Sequence, residues 1–126
     1  MLHGQLPTSA TSRIYLYSSS VDMRRSFDGL MGMVSEYFGA EALSGHLFLF
    51  VNRRRDRLKI LYWDNDGFAI WYKRLERGAF QTPEGDGSEV ELDAAQLAML
   101  LQGVDWRQAK RRKRYRRPVI DSTATR

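Results

Sequence analysis

Residues 46–73 read HLFLFVNRRRDRLKILYWDNDGFAIWYK, and this stretch carries three strands and two turns. His46-Leu47-Phe48-Leu49-Phe50-Val51 is apolar almost throughout, the pattern of a central strand covered on both faces. Arg53-Arg54-Arg55-Asp56 is a charged turn. From Arg57 to Trp63 the chain alternates, with Leu58, Ile60 and Tyr62 on one face and Lys59, Leu61 and Trp63 on the other. Asp64-Asn65-Asp66-Gly67 is a tight-turn signal, because these residue types tolerate the backbone angles a hairpin loop requires. Phe68 to Lys73 resumes the alternation, setting Phe68, Ile70 and Tyr72 opposite Ala69, Trp71 and Lys73. Three strands joined by two short turns form an antiparallel meander.

On the N-terminal side, Arg13-Ile14-Tyr15-Leu16-Tyr17 is β-branched, aromatic and alternating, and reads as a further strand. Ser18-Ser19-Ser20 breaks it. Asp22, or one of those serines, is the expected N-cap of a helix from about Met23 to Phe38. Met23, Phe27, Leu30, Met31, Val34, Tyr37 and Phe38 would form its apolar face, and Gly39 its stop. Gly29 and Gly32 lower helix propensity and suggest the close approach of a strand or another backbone. On the C-terminal side, Glu89 to Leu92 reads as a short edge strand. Asp93 and Gln96 form a capping-box variant that opens a helix from Ala94 to Gln102, stopped by Gly103 and buried along Leu97, Leu100 and Leu101. The expected fold class is α+β, an antiparallel β-meander sheet with two helices packed on one face and a basic, disordered C-terminal tail. In domain terms this gives a flexible stretch over 1–12, a single domain over 13–106 and a flexible basic tail over 107–126.

A chain of 126 residues supports one core, and 43% hydrophobic content argues against wholesale disorder. It contains no cysteine, which excludes disulfides, thiolate zinc sites and a cysteine nucleophile. The first twelve residues lack the apolar core of a signal peptide, and no run reaches the roughly 20 apolar residues of a membrane span, so a soluble, cytoplasmic protein is expected.

Patterns that invite catalysis fail on spacing. The Asp64 turn begins like a calcium loop, but Phe68 and Leu75 stand where its fifth and twelfth ligands belong. A metal-dependent nuclease needs converging carboxylates. Asp56 and Lys59 would point to opposite faces of a regular strand, while Asp22, Asp28 and Glu76 sit in contexts that look structural. His3 and His46 have no ligand partner at local spacing. No catalytic residue, metal site or cofactor is expected.

Charge is distributed unevenly. Residues 107–126 hold nine Lys/Arg and one acid, whereas residues 1–106 hold eleven basic and fourteen acidic side chains. Arg107, Lys110, Arg111, Arg112, Lys113, Arg114, Arg116 and Arg117 could bind nucleic-acid phosphates by releasing condensed counterions, or could serve solubility alone. Arg53, Arg54 and Arg55 on the hairpin turn, followed by Arg57 and Lys59, form a second candidate phosphate-binding cluster; an ordinary solvated turn is the alternative. Lys73, Arg74 and Arg77 extend it if sheet twist brings them to the same side. Trp63 and Trp71 would share the face carrying Lys59 and Lys73, either as a stacking platform or as core.

Five strings in unbroken order carry a family likeness: Asp22 to Leu30 (DMRRSFDGL), Ser44 to Phe50 (SGHLFLF), Asp56 to Asp64 (DRLKILYWD), Lys73 to Gly78 (KRLERG) and Gln96 to Trp106 (QLAMLLQGVDW). From about Arg13 to Trp106 the chain resembles the TnpB (second open reading frame, Orf2) accessory proteins of the IS66 class of insertion sequences. The resemblance implies a bacterial cytoplasmic protein encoded beside a separate acidic-triad transposase, which performs strand cleavage and transfer. It brings no catalytic residues. The implied partners are DNA at the element ends and the transposase of the same element, with a transposase adaptor that hardly touches DNA as the alternative.

Overall fold

The computed structural model describes residues 6, 13–39, 43, 45–82 and 89–103. In chain order the elements are β1 (Ile14–Tyr17), α1 (Phe27–Phe38), β2 (Leu47–Val51), β3 (Arg57–Asp64), β4 (Gly67–Arg74), β5 (Glu89–Leu92) and α2 (Ala94–Leu101). One five-stranded sheet runs in the order β4-β3-β2-β1-β5. The α+β class and the β2-β3-β4 meander match the sequence reading, and all five residues of β2 are buried, as a strand covered on both faces requires.

Two features of the architecture differ from expectation. The sheet is mixed, not wholly antiparallel: β1 lies parallel to β2, with Ile14 opposite Leu47 and Leu16 opposite Leu49. A parallel neighbour requires a crossover, and α1 is that crossover. The helices also lie on opposite faces rather than one. Side chains alternate along β2, so Leu47, Leu49 and Val51 join Leu58, Ile60, Leu97, Leu100 and Leu101 in one core, under α2. Phe48 and Phe50 join Leu61, Leu30 and Val34 in the other, under α1. Fully burying each such leucine or phenylalanine contributes about 1.5–3 kcal/mol, which is why both helices stay docked.

Helix α1 starts four residues later than its apolar spacing suggests, at Phe27, and its N-cap Ser26 makes no side-chain cap hydrogen bond. Asp22 is engaged elsewhere: its carboxylate accepts from the Arg24 backbone N–H at 2.9 Å and from the Arg24 guanidinium. Met23 to Arg25 is held as a turn because the carbonyls of Met23 and Arg25 both accept from the Lys59 ammonium. Leu30 and Val34 face the sheet, while Phe27 and Tyr37, assigned to the same stripe, stand exposed at its margin. Gly39 ends the helix with φ of 92°, a value that favours glycine. Neither Gly29 nor Gly32 meets another backbone; a β-carbon at Gly29 would meet only the Arg25 side chain, and one at Gly32 would meet nothing.

Helix α2 opens as its sequence dictates. The Asp93 carboxylate accepts from the Gln96 backbone N–H at 2.7 Å, and the Gln96 side chain accepts from the Asp93 N–H at 2.9 Å. His46 closes the start of the parallel pair, its Nδ1 accepting from the Arg13 N–H at 3.1 Å. Of the first twelve residues only Leu6 is described, and it is buried in the α2-side core. The rest of 1–12, the basic tail from 107 onward and His3 lie outside the described residues. Among those described, no helix is long and apolar enough to cross a membrane.

Candidate nucleic-acid interface

The turn between β2 and β3 is built by Asn52, which the sequence reading passed over. Its side-chain oxygen accepts from the backbone N–H groups of Asp56 and Arg57, both at 3.0 Å, and its amide donates to Asp56 Oδ1 at 2.7 Å. An asparagine immediately before a charged run is a known turn-former, and that was the available signal. Held this way, the Asp56 carboxyl titrates below the usual carboxylate range, first because of the Asn52 hydrogen bond and further because of Arg54 and Arg57. Arg55 completes the turn with a positive φ of 61°.

The five arginine and lysine candidates in this region have different roles. Arg53 and Arg54 are exposed at the tip. Arg57 is half-buried beside the Tyr72 hydroxyl, its guanidinium donating at 3.4 Å. Arg55 turns back: its guanidinium donates to the buried Thr82 hydroxyl, and its carbonyl accepts from the Phe80 N–H at 2.7 Å. Lys59 is only 7% exposed. Its ammonium donates to the carbonyls of Met23 at 2.8 Å and Arg25 at 2.7 Å, and lies 4.7 Å from the centre of the Tyr72 ring. Two of the three ammonium N–H groups of Lys59 are thus used inside the fold, which favours a structural role over phosphate contact.

Other cations join the exposed pair. The Val21 N–H donates to the Val51 carbonyl at 2.9 Å, bringing the segment before α1 to the same end of the sheet. An open cleft of about 500 Å³ forms there between Ser20–Met23 and the Arg53–Arg54 turn. Arg24 and Arg25 stand exposed at this end, and Arg74 lies across from Arg57 in the β3–β4 register. Carboxylates offset part of the charge: Arg24 binds Asp22 at 2.6 Å and Arg74 binds Glu76 at 3.0 Å. The Arg24 side-chain hydrogen bonds, followed by its backbone N–H, hold the Asp22 carboxyl down at about 2.

The C-terminal end of α2 reaches the same pole. Leu101, Gln102 and Gly103 line a cleft with Lys73, Leu75, Arg77 and Ala79. That loop is tied to the turn, since the Leu75 N–H donates to the Asp56 carbonyl. Gly103, the last described residue, thus lies in a cleft with the loop that is hydrogen-bonded to the cationic turn. Residues Lys110, Arg111, Arg112, Lys113, Arg114, Arg116 and Arg117 follow it in sequence but lie outside the described residues.

The tryptophans do not share a platform. In register, Trp63 opposes Phe68 and Trp71 opposes Ile60, so the two rings lie on opposite faces of the sheet. Trp63 is 39% exposed and meets Phe68 edge-on at 5.0 Å, whereas Trp71 packs against the α2-side core. The sequence reading aligned β3 and β4 by their positions along the chain. The two-residue hairpin instead pairs Asp64 with Gly67 and so reverses the parity. Among the described residues, no group of three or more His, Asp or Glu side chains could hold a metal ion.

A small α+β module with arginines gathered at one end of its sheet is the class these features define. Comparison with known proteins supplies its lineage. The chain belongs to the family of IS66 Orf2-like proteins, whose model matches residues 12–111. It is similar to two uncharacterized proteins of Sinorhizobium fredii. One, y4hO, is 36% identical over 102 residues, covering 81% of this chain and 89% of the relative. The other, y4jC, is 34% identical over 107 residues, covering 85% and 91%. No solved structure matches significantly. The protein is thus an accessory protein associated with insertion-sequence transposition.

Proposed function

We propose that this protein binds DNA phosphates without sequence preference and helps assemble or position the transposase complex on the element ends. One observation carries the reading: the end of α2 shares a cleft with the loop after β4, and that loop is hydrogen-bonded to the turn that exposes Arg53 and Arg54. Two cationic elements distant in sequence can then address one stretch of duplex. The tail supplies density of charge, and the turn supplies fixed positions at its root. Arg57 and Arg74 widen the turn's footprint, and Arg24 and Arg25 its flank. The chemistry asked of the protein is neutralisation and orientation; strand cleavage belongs to the transposase.

The test is a salt series of binding to element-end and unrelated duplexes with the purified full-length chain. Each lost phosphate contact lowers the log–log salt slope by about 0.9, so Arg53→Ala with Arg54→Ala should remove up to about 2 from it. Alanine at Arg111, Arg112, Lys113 and Arg114 should weaken both duplexes alike. Affinity unchanged by all six replacements defeats the reading. A protein adaptor of the transposase then becomes the better description, a role favoured by Phe27 and Tyr37, half-exposed at the margin of α1's sheet-facing stripe.

A further inference from the structure

The two edges of the sheet are built differently. β5 has four residues, and Glu89 and Glu91 stand exposed on it. Shortness and charge are what deter an edge from pairing with another chain. β4 has eight residues and pairs only with β3 among the described residues. Its central run, Phe68-Ala69-Ile70-Trp71-Tyr72, carries no charge, and none of the five is fully buried. In an antiparallel ladder every second residue of an edge strand turns its N–H and C=O away from its neighbour. Among the described residues, β4 therefore presents an outward row of main-chain donors and acceptors along an uncharged central run.

We infer that β4 pairs antiparallel with β4 of a second copy, about a two-fold axis at Ile70, joining the two sheets into one. A two-fold axis perpendicular to the sheet keeps each face continuous, so only residues of the same parity can oppose one another. Centring on Ile70 is the register in which the whole uncharged run overlaps itself. It sets Phe68 against Tyr72 and Ala69 against Trp71, an aromatic pair and a small–large pair. On the α1 face it continues an existing row, since Phe68 already meets Trp63 and Tyr72 already lies against Lys59. Charge agrees with this register. The acidic tip of the β3–β4 hairpin sets Asp66 against Arg74 of the other copy, which would stand between that carboxylate and its own Glu76. Centring one residue later, on Trp71, would set Asp66 against Glu76, two like charges. The pairing shares Arg74 with the proposed phosphate footprint but not Arg53 or Arg54, which lie on the turn joining β2 to β3, so it is tested on the protein without nucleic acid.

Sedimentation equilibrium of the full-length, nucleic-acid-free protein tests the assignment. A monomer–dimer equilibrium is expected. Asp66→Arg and Arg74→Asp should each weaken it about tenfold, because each change places like charges opposite each other twice per dimer. The double variant should recover most of the loss. Both positions are exposed, and circular dichroism with thermal unfolding verifies the fold of each variant. Ile70→Lys, which opposes two ammonium groups across the axis, should abolish the dimer. A chain that stays monomeric at high concentration overturns the inference and assigns the edge to another polypeptide or to a different part of this chain. A dimer indifferent to these charges, or one that the double variant fails to restore, overturns it equally.

Discussion

The Lys59 ammonium sits 4.7 Å from the centre of the Tyr72 ring while donating to two main-chain carbonyls of the segment that enters α1. A single β3 side chain thus fastens the β4 edge, the β3 interior and the start of the crossover helix. Replacing Lys59 by methionine keeps the apolar stem but leaves the Met23 and Arg25 carbonyls without their donor. Stability should fall by about 1–3 kcal/mol, read from the denaturant midpoint, while the folded variant keeps its affinity for DNA. A variant that folds as well as the parent but loses salt-sensitive binding would return Lys59 to the phosphate-contacting set.

Asn52 governs the shape of the cationic turn without carrying charge. Asn52→Ala removes three hydrogen bonds and should lower stability by about 1–3 kcal/mol. With Arg53 and Arg54 still present but no longer fixed, DNA affinity should also drop. The discriminating measurement is a comparison with the swap Asn52→Asp with Asp56→Asn, which keeps the net charge, the acceptor oxygen for the two N–H groups and the amide–carboxylate bond. Recovery of binding in that variant would show that geometry, not composition, sets the turn's contribution.

Asp22 and Arg24 give the cleft a pH signature. The folded Asp22 carboxyl titrates at about 2, below its ordinary 3.8. A depressed folded value means that the pair's contribution is present above the unfolded value and disappears as the pH falls from about 3.8 through about 2. The pair is exposed, so the effect on global stability should be small, and the direct readout is a carboxyl-carbon NMR titration of Asp22. Arg24→Ala should move the midpoint back towards 3.8. A midpoint already there in the parent protein would mean that the ion pair does not persist in solution.

The capping box of α2 makes a separate prediction. Asp93→Ala should destabilise the protein by about 1 kcal/mol through loss of the reciprocal bonds with Gln96. Leu100→Ala, at a fully buried position, should cost about 2–5 kcal/mol. Thermal unfolding of the two variants checks this order. Equal losses would mean that the helix is held by its end as much as by its buried stripe.

Local patterns specified most elements. The capping box, the three buried leucines, the meander and its tight turn were all legible, because each depends on residues within a few positions of one another. Three features were not. Asp22 looked like a helix cap, but Arg24 engages its carboxylate and Lys59, far along the chain, keeps the preceding turn from becoming helical. The side of the sheet each helix covers depends on β1 running parallel to β2, and periodicity within β1 carries no information about a neighbour's direction. Alternation alone marked Lys59 as one of a row of surface cations. Only the placement of 23–25 over β3 shows that its charge is buried and engaged inside the fold. Arg53 and Arg54 are exposed as their place at a turn tip requires.

Strand β3 joins two hairpin tips of opposite character, Arg53–Arg54 before it and Asp64–Asp66 after it. Its eight residues hold them roughly 27 Å apart. Each chain is thus polar along its strands, positive at one tip and negative at the other. A two-fold pairing of edge strands inverts that polarity between the copies, so a dimer would carry one arginine tip at each end rather than two at one.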